Sequence, residues 1–218
     1  MEAVAVDHVE VRRTAVLAHT GPVGAPNGWM VLHGIHQRAA DFIAPWTRIE
    51  GQAGRRVLAP EGLSRTILDF EKDTAGACWT TIPDRPIDLP DAYAWLDACA
   101  ERLDREAGDG ARVLLGFSQG SIIAARWAVA RERLWDAVVI WGGGIPRDVD
   151  PRLLASRSKD GAIHLAIGER DSFATAERRD AMRAALQAAG VTVRLRTFAG
   201  GHRLDDATIA ALATELET

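Results

Sequence analysis

The chain is poor in cysteine, nearly devoid of lysine and without a long apolar run. Cys78 and Cys99 are the only cysteines in 218 residues, too few for a disulfide framework or an all-cysteine metal site. Their number allows one bridge, and two free thiols in a reducing compartment are the simpler expectation. Lys72 and Lys159 are the only lysines, so nearly all positive charge is arginine. Lysine and arginine total 26 against 30 acidic residues, for a net charge of −4. That balance lacks the basic footprint that a phosphate backbone requires, which argues against nucleic acid as a partner. No stretch approaches the ~18 apolar residues of a membrane span, so no stable membrane insertion is expected. The opening MEAVAVDHVEVRR carries Glu2 and Asp7 early and has no apolar run leading to a cleavage site, unlike a signal peptide. These absences point to a cytoplasmic protein. Repeats and low-complexity tracts are also missing.

What is present is the balance of an ordinary globular chain, 47% hydrophobic and 26% charged, which can bury enough apolar surface to offset its ordering entropy. The length suits one domain over residues 1–218 that needs no disulfide or metal staple. Short β-rich runs alternate with longer amphipathic runs, the pattern of a mainly parallel α/β sheet. Val9, Val11 and the run Ala15 to Leu17 predict one or two edge strands within residues 2–18. Further strands are predicted at 29–32, 56–59, 113–117, 137–141, 162–167 and 191–198. Helices are predicted at 89–107, 121–133, 175–189 and 205–216, with Gly108 and Gly190 just beyond two of them as stop signals. Residues 61–88 carry few periodic signals and contain Pro83 and Pro86. A non-repetitive stretch this long inside a compact domain is usually functional or mobile.

The strongest chemical signal is Gly116-Phe117-Ser118-Gln119-Gly120, set between the apolar run Val113 to Leu115 and a helical pattern. A strand turning sharply into a helix holds the serine hydroxyl above the carboxyl end of the sheet, and the flanking glycines keep the two elements from colliding. The helix start offers backbone N–H groups and a positive dipole end to a developing negative charge. A serine hydroxyl is a poor nucleophile near neutral pH, so it needs a base, and the base needs an orienting carboxylate. Both follow in the order this turn demands. Asp171 comes just after the strand at 162–167, and His202 just after the one ending at Phe198. Glu169 is the rival acid, while Asp148 and Asp150 read as solvated loop charges. His164 lies within a strand, and His8 and His19 lie in the N-terminal region. A second loop, His33-Gly34-Ile35-His36-Gln37, follows the strand at 29–32. Acyl transfer needs N–H donors at the future oxyanion, and the backbones of Gln119 and Ile35 are the candidates.

Together these residues resemble the α/β-hydrolase fold, and more narrowly the phospholipase/carboxylesterase family of small serine esterases, which includes acyl-protein thioesterases. The resemblance rests on Leu32-His33-Gly34 followed by Asp41-Phe42, on Pro60, on the Gly116–Gly120 motif, on Gly168 with Asp171 and on Gly201-His202. It implies a mostly parallel twisted sheet with helices on both faces and no large cap domain. It implies a triad of Ser118, Asp171 and His202, ester hydrolysis through an acyl-enzyme, a small-molecule ester substrate, and neither metal nor organic cofactor. His36 departs from the family, where glycine often stands, and is expected to narrow the site or contact the leaving group. Gly34 and His36, with Phe70 and Trp79 on a flap over residues 63–88, are the candidate substrate contacts. The competing role for Trp79 is to pack that loop onto the domain. A small serine peptidase would want an extra gating domain, and a dienelactone-type hydrolase would want cysteine at position 118. A noncatalytic binding protein of this fold would tend to lack triad members. Acyl length, leaving group and oligomeric state are not encoded in any motif.

Overall fold

A computed structural model describes residues 4–217. Of the one or two edge strands expected within residues 2–18, one edge strand forms, and it begins only at Leu17. Residues 4–16 carry no regular structure, and Val4, Val6, Val9 and Val11 are exposed because no element covers them; positions 2 and 3 lie outside the described residues. Alternation marks a strand only where a partner strand and a core face exist. The first strand is the short β1 (Leu17–Thr20). It is followed by β2 (Asn27–Leu32), α1 (Ala39–Phe42) and β3 (Arg55–Pro60). Next come β4 (Ser64–Asp69), β5 (Thr74–Cys78) and the long α2 (Arg85–Glu106). The second half alternates regularly: β6 (Arg112–Phe117), α3 (Gln119–Ala130), β7 (Ala137–Trp141), α4 (Pro151–Ala155), β8 (Ala162–Gly168), α5 (Ala176–Ala188), β9 (Thr192–Phe198) and α6 (Asp206–Leu216).

Seven strands form one sheet in the order β1-β3-β2-β6-β7-β8-β9. Only β1 runs antiparallel to its neighbour; the other pairings are parallel. Both faces are buried, and the period of two sorts side chains between them. Met30 and Leu32 join Leu58, Leu114, Val138 and Ile140 on one face, which α2, α3, α4 and α5 cover. Trp29 and Val31 join Val57, Val113, Leu115 and Val139 on the other, against Phe42, Trp46 and α6. Each fully buried aliphatic or aromatic side chain contributes roughly 1.5–3 kcal/mol. Because the other six strands of this sheet run parallel, the loops after β2, β3, β6, β7, β8 and β9 emerge at one edge of the sheet. This mostly parallel sheet with helices on both faces is the expected α/β-hydrolase architecture. No described helix is long and apolar enough to cross a membrane.

Residues 61–88 are more ordered than their composition suggests. β4 and β5 form an antiparallel hairpin, and α2 starts at Arg85 rather than Leu89. Pro86 falls in the first turn, where a missing N–H costs nothing, and Pro90 follows one turn later. A backbone bridge ties the hairpin to the loop after β2: His36 N–H donates to the Ala77 carbonyl at 2.7 Å and Ala77 N–H to that of Gln37 at 3.2 Å. Cys78 and Cys99 are free and buried, and burial pushes the Cys99 thiol up to about 12.

Glu61, just after β3, fastens these parts together. Its side chain is 1% exposed. One carboxylate oxygen accepts from the Ala39 N–H at 2.8 Å and from Arg38 Nε at 3.0 Å. The other lies 2.7 Å from Arg65 Nη2 on β4. Burial alone would push this carboxyl up, but the Ala39 hydrogen bond and the two guanidinium groups outweigh it and hold it below the usual carboxylate range. A depressed folded-state value contributes stability above the unfolded value that is lost as pH falls through the folded one. Glu61→Gln is therefore expected to lower unfolding free energy near neutral pH by about 1–3 kcal/mol. In urea titrations across pH, the gap to wild type should shrink once pH drops below the ordinary carboxylate range. A gap that stays constant down to strongly acidic pH would contradict this account.

Candidate active site

Ser118 occupies the β6–α3 junction with φ 53° and ψ −116°, a backbone conformation that a non-glycine residue adopts only under tight surrounding constraint. The constraint is visible. Ser118 N–H donates to the Trp141 carbonyl at 2.9 Å, and the Ser118 carbonyl accepts the Ser121 N–H and hydroxyl at 3.1 and 2.6 Å. A Cβ on Gly120 would sit 2.2 Å from the Leu32 carbonyl oxygen, and one on Gly116 would sit 2.4 Å from the Gly120 carbonyl oxygen. The strand, the helix and the end of β2 are therefore as close as backbones can come.

The three residues separated widely in sequence meet here. His202 Nε2 is 2.9 Å from Ser118 Oγ, and His202 Nδ1 is 2.9 Å from Asp171 Oδ2. The second Asp171 oxygen accepts the N–H groups of Phe173 at 2.8 Å and Ala174 at 3.0 Å, so the buried carboxylate has donors on both sides. With the carboxylate accepting, Nδ1 is the donor and Nε2 is free to accept from the serine hydroxyl. The imidazole is flanked by the rings of Phe117 and Phe173 at 4.8 and 4.7 Å. The rivals lie elsewhere. Glu169 is exposed, Asp148 pairs with Arg126, and Asp150 caps α4. His164 is a buried strand residue 3.1 Å from Asp160, and burial lowers its pKa.

Ser118 and His202 line an open cleft of about 400 Å³ together with Ile35, Gln119, Ile122, Phe173 and Met182. Its volume suits a small organic ligand. Neither the Ile35 nor the Gln119 backbone N–H has an acceptor among the described residues. Arg178 and Arg179 also border the cleft; the former donates to the Phe173 carbonyl at 3.1 Å and the latter to Asp180 at 3.0 Å. No motif in the sequence points to Phe173, Met182 or the two arginines. They sit on α5 and its lead-in, and their only sequence clue is nearness to Asp171.

The expected substrate contacts need correction. Phe70 stands at the hairpin tip, 84% exposed and away from the cleft. Trp79 is buried because its indole stacks on His33 at 5.0 Å and donates to the His33 carbonyl at 2.8 Å. It packs the loop onto the sheet, as the competing role had it. His36 has φ 65° and faces a separate cavity with Arg38, Asp41 and Asp73, because its backbone is drawn toward β5. Gly34 does not line the cleft, and its N–H donates to Gln37 Oε1 at 2.7 Å.

Residues 53–203 match the family model described as "Dienelactone hydrolase family". A polyketide synthase, ThaQ of Burkholderia thailandensis, is 41% identical over 85 residues, 36% of this chain and 4% of that protein. The chain therefore spans a very small part of that relative's length. Among solved structures, acyl-protein thioesterase 2 of Zea mays aligns at a TM-score of 0.67 and 17% identity, over 94% of this chain and 100% of that one. A Bacillus cereus carboxylesterase aligns at 0.65 and 16% identity, over 93% of each chain. Likeness at this level of identity speaks for the shared fold. Serine at position 118 does not keep the chain outside the matched family.

The packing at the turn generates a stability test. Gly120→Ala should cost at least about 1–3 kcal/mol, measured as a shifted urea midpoint, because its new methyl group would press on the Leu32 carbonyl. A midpoint equal to wild type would mean that the junction is looser than described.

Proposed function

The chain belongs to the dienelactone hydrolase family, and from that premise we propose that it is a serine hydrolase of carboxylic esters working through an acyl-enzyme on Ser118. The observation that carries this reading is the continuous chain of hydrogen-bond distances from Ser118 Oγ through His202 to Asp171, each 2.9 Å, at the floor of an open cleft. His202 takes the hydroxyl proton as the serine oxygen bonds to the substrate carbonyl carbon. The tetrahedral oxyanion is held by the N–H groups of Gln119 and Ile35. Collapse breaks the bond to the leaving alcohol or thiol, which receives the proton from His202. Water then enters, gives a proton to the same imidazole and releases the acid and the free serine. Asp171 keeps the imidazole in the required tautomer and stabilises its protonated form.

The cleft wall of Ile35, Ile122, Met182 and Phe173 supports a substrate with an apolar acyl or leaving group. Thioesters belong beside oxygen esters in the substrate panel, since one structural neighbour is a thioesterase; lysophospholipids are the third class. No step in this scheme calls for a metal or an organic cofactor.

Ser118→Ala should lower kcat on a short-chain nitrophenyl ester by at least about a thousandfold while leaving the melting temperature near wild type. A fluorophosphonate should add one adduct mass to the intact wild-type protein, mapped to the peptide containing Ser118. An unlabelled wild-type protein, or a Ser118→Ala variant that keeps wild-type rates, would defeat the assignment.

A further inference from the structure

We propose that His33, which does not line the cleft, is a positioning residue whose neutral Nδ1–H tautomer sets the Gly34–Ile35 peptide so that the Ile35 N–H faces the oxyanion. This rests on the serine-hydrolase reading above and adds a residue that has no role in the triad.

The argument starts from what His33 touches. It is fully buried. Its Nδ1 lies 2.6 Å from the Gly34 carbonyl oxygen, which can only accept, so Nδ1 carries the proton. Its Nε2 lies 2.9 Å from the Gly62 N–H, which can only donate, so Nε2 carries the lone pair. The two partners thus dictate one tautomer. The Gly34 carbonyl and the Ile35 N–H belong to a single planar trans peptide unit and point in opposite directions; no described peptide is cis. Drawing the carbonyl onto the His33 ring, into the interior, turns the Ile35 N–H the other way. Ile35 stands on the cleft wall with Ser118 and His202.

The ring is itself immobilised. Trp79 stacks on it at 5.0 Å, and the Phe42 ring packs against it at 6.3 Å. Trp79 also links the two oxyanion donors. Its indole N–H donates to the His33 carbonyl at 2.8 Å, and its backbone N–H donates to Gln119 Oε1 at 3.0 Å. Gln119 Nε2 returns a bond to the Thr80 carbonyl at 3.0 Å. The Gly34 carbonyl receives a second, longer bond of 3.3 Å from the Gln37 N–H, so the turn exists without His33 but is less tightly oriented. Burial lowers the His33 pKa, against the opposing pull of the Gly34 bond and of Glu61; Arg65 and Arg38 add to the lowering. The neutral form that the two bonds require is thereby favoured.

Two substitutions separate the ring's two bonds. An asparagine amide reaches the Nδ1 position and can still donate to the Gly34 carbonyl. A glutamine amide reaches the Nε2 position, where it keeps the Gly62 partner and loses the Gly34 one. Losing one oxyanion donor outright costs about a hundred- to a thousandfold, so a displaced one should cost about ten- to a hundredfold in kcat. His33→Gln is expected to show that loss with KM within about twofold, and a parallel fall in the rate of fluorophosphonate labelling at Ser118. His33→Asn is expected to recover most of the lost kcat although it forfeits the Gly62 bond and the ring stacking. Equal kcat losses in both variants, or a loss that tracks melting temperature, would reduce His33 to a packing residue and overturn the proposal. So would a folded His33→Gln with wild-type kcat. If His33→Gln fails to fold, His33→Asn decides alone: near-wild-type kcat supports the proposal and a tenfold loss sinks it. Failure of the serine-hydrolase reading looks different, because the wild-type protein would then neither turn over an ester nor take the label.

Discussion

The whole site depends on one strained backbone turn. Ser118 holds a positive φ that isolated chains avoid, at a cost of order 1–3 kcal/mol, and it does so because β6, α3 and the end of β2 are packed at backbone contact. The hydroxyl is raised to the carboxyl edge of the sheet as a consequence of that packing. Parallel strands then deliver the other groups to the same edge, Asp171 after β8 and His202 after β9. The parallel arrangement is essential here, since an antiparallel neighbour would send its loop to the far side.

Apolar burial supplies the rigidity, and a few buried polar groups supply the orientation. The sheet interior is filled by large side chains on both faces, so the loops at its edge start from fixed points. Between those points, His33, Trp79, Gln119 and Glu61 hold backbone groups that have no ladder partner. Buried polar groups of this kind cost free energy unless fully bonded, which is why each has partners on separate segments. Glu61 fastens α1 and the β4–β5 hairpin, and His33 with Trp79 fastens the loop after β2 to the turn at Ser118.

The cleft itself is asymmetric in chemistry. Its wall carries Ile35, Ile122, Met182 and Phe173, and its border carries Arg178 and Arg179. The imidazole packs against two aromatic rings, with Nε2 directed at the serine. The match to a hydrolase family covers residues 53–203, and the fold is shared with a thioesterase and a carboxylesterase.

The order of Ser118, Asp171 and His202, each just past a β-rich run, is legible in the sequence because chain order and strand ends are local properties. So are the sheet's second half and the helices that cap with Thr175 and Asp205. The failures share a cause. Valines at 9 and 11 alternate like a strand but meet no partner. Residues 64–78 form a hairpin that two-residue periodicity reveals only weakly, since β4 is mostly exposed. Phe70 and Trp79 differ little as residue types, yet one ends in solvent and the other against His33 in the loop after β2. Side-chain chemistry and spacing single out Ser118, Asp171 and His202, because a hydrogen-bonded set of this kind needs particular atoms at the ends of particular strands. Which side chains wall the cleft, and which lie behind it, depends on long-range packing between segments far apart in the chain, and no local pattern carries that information.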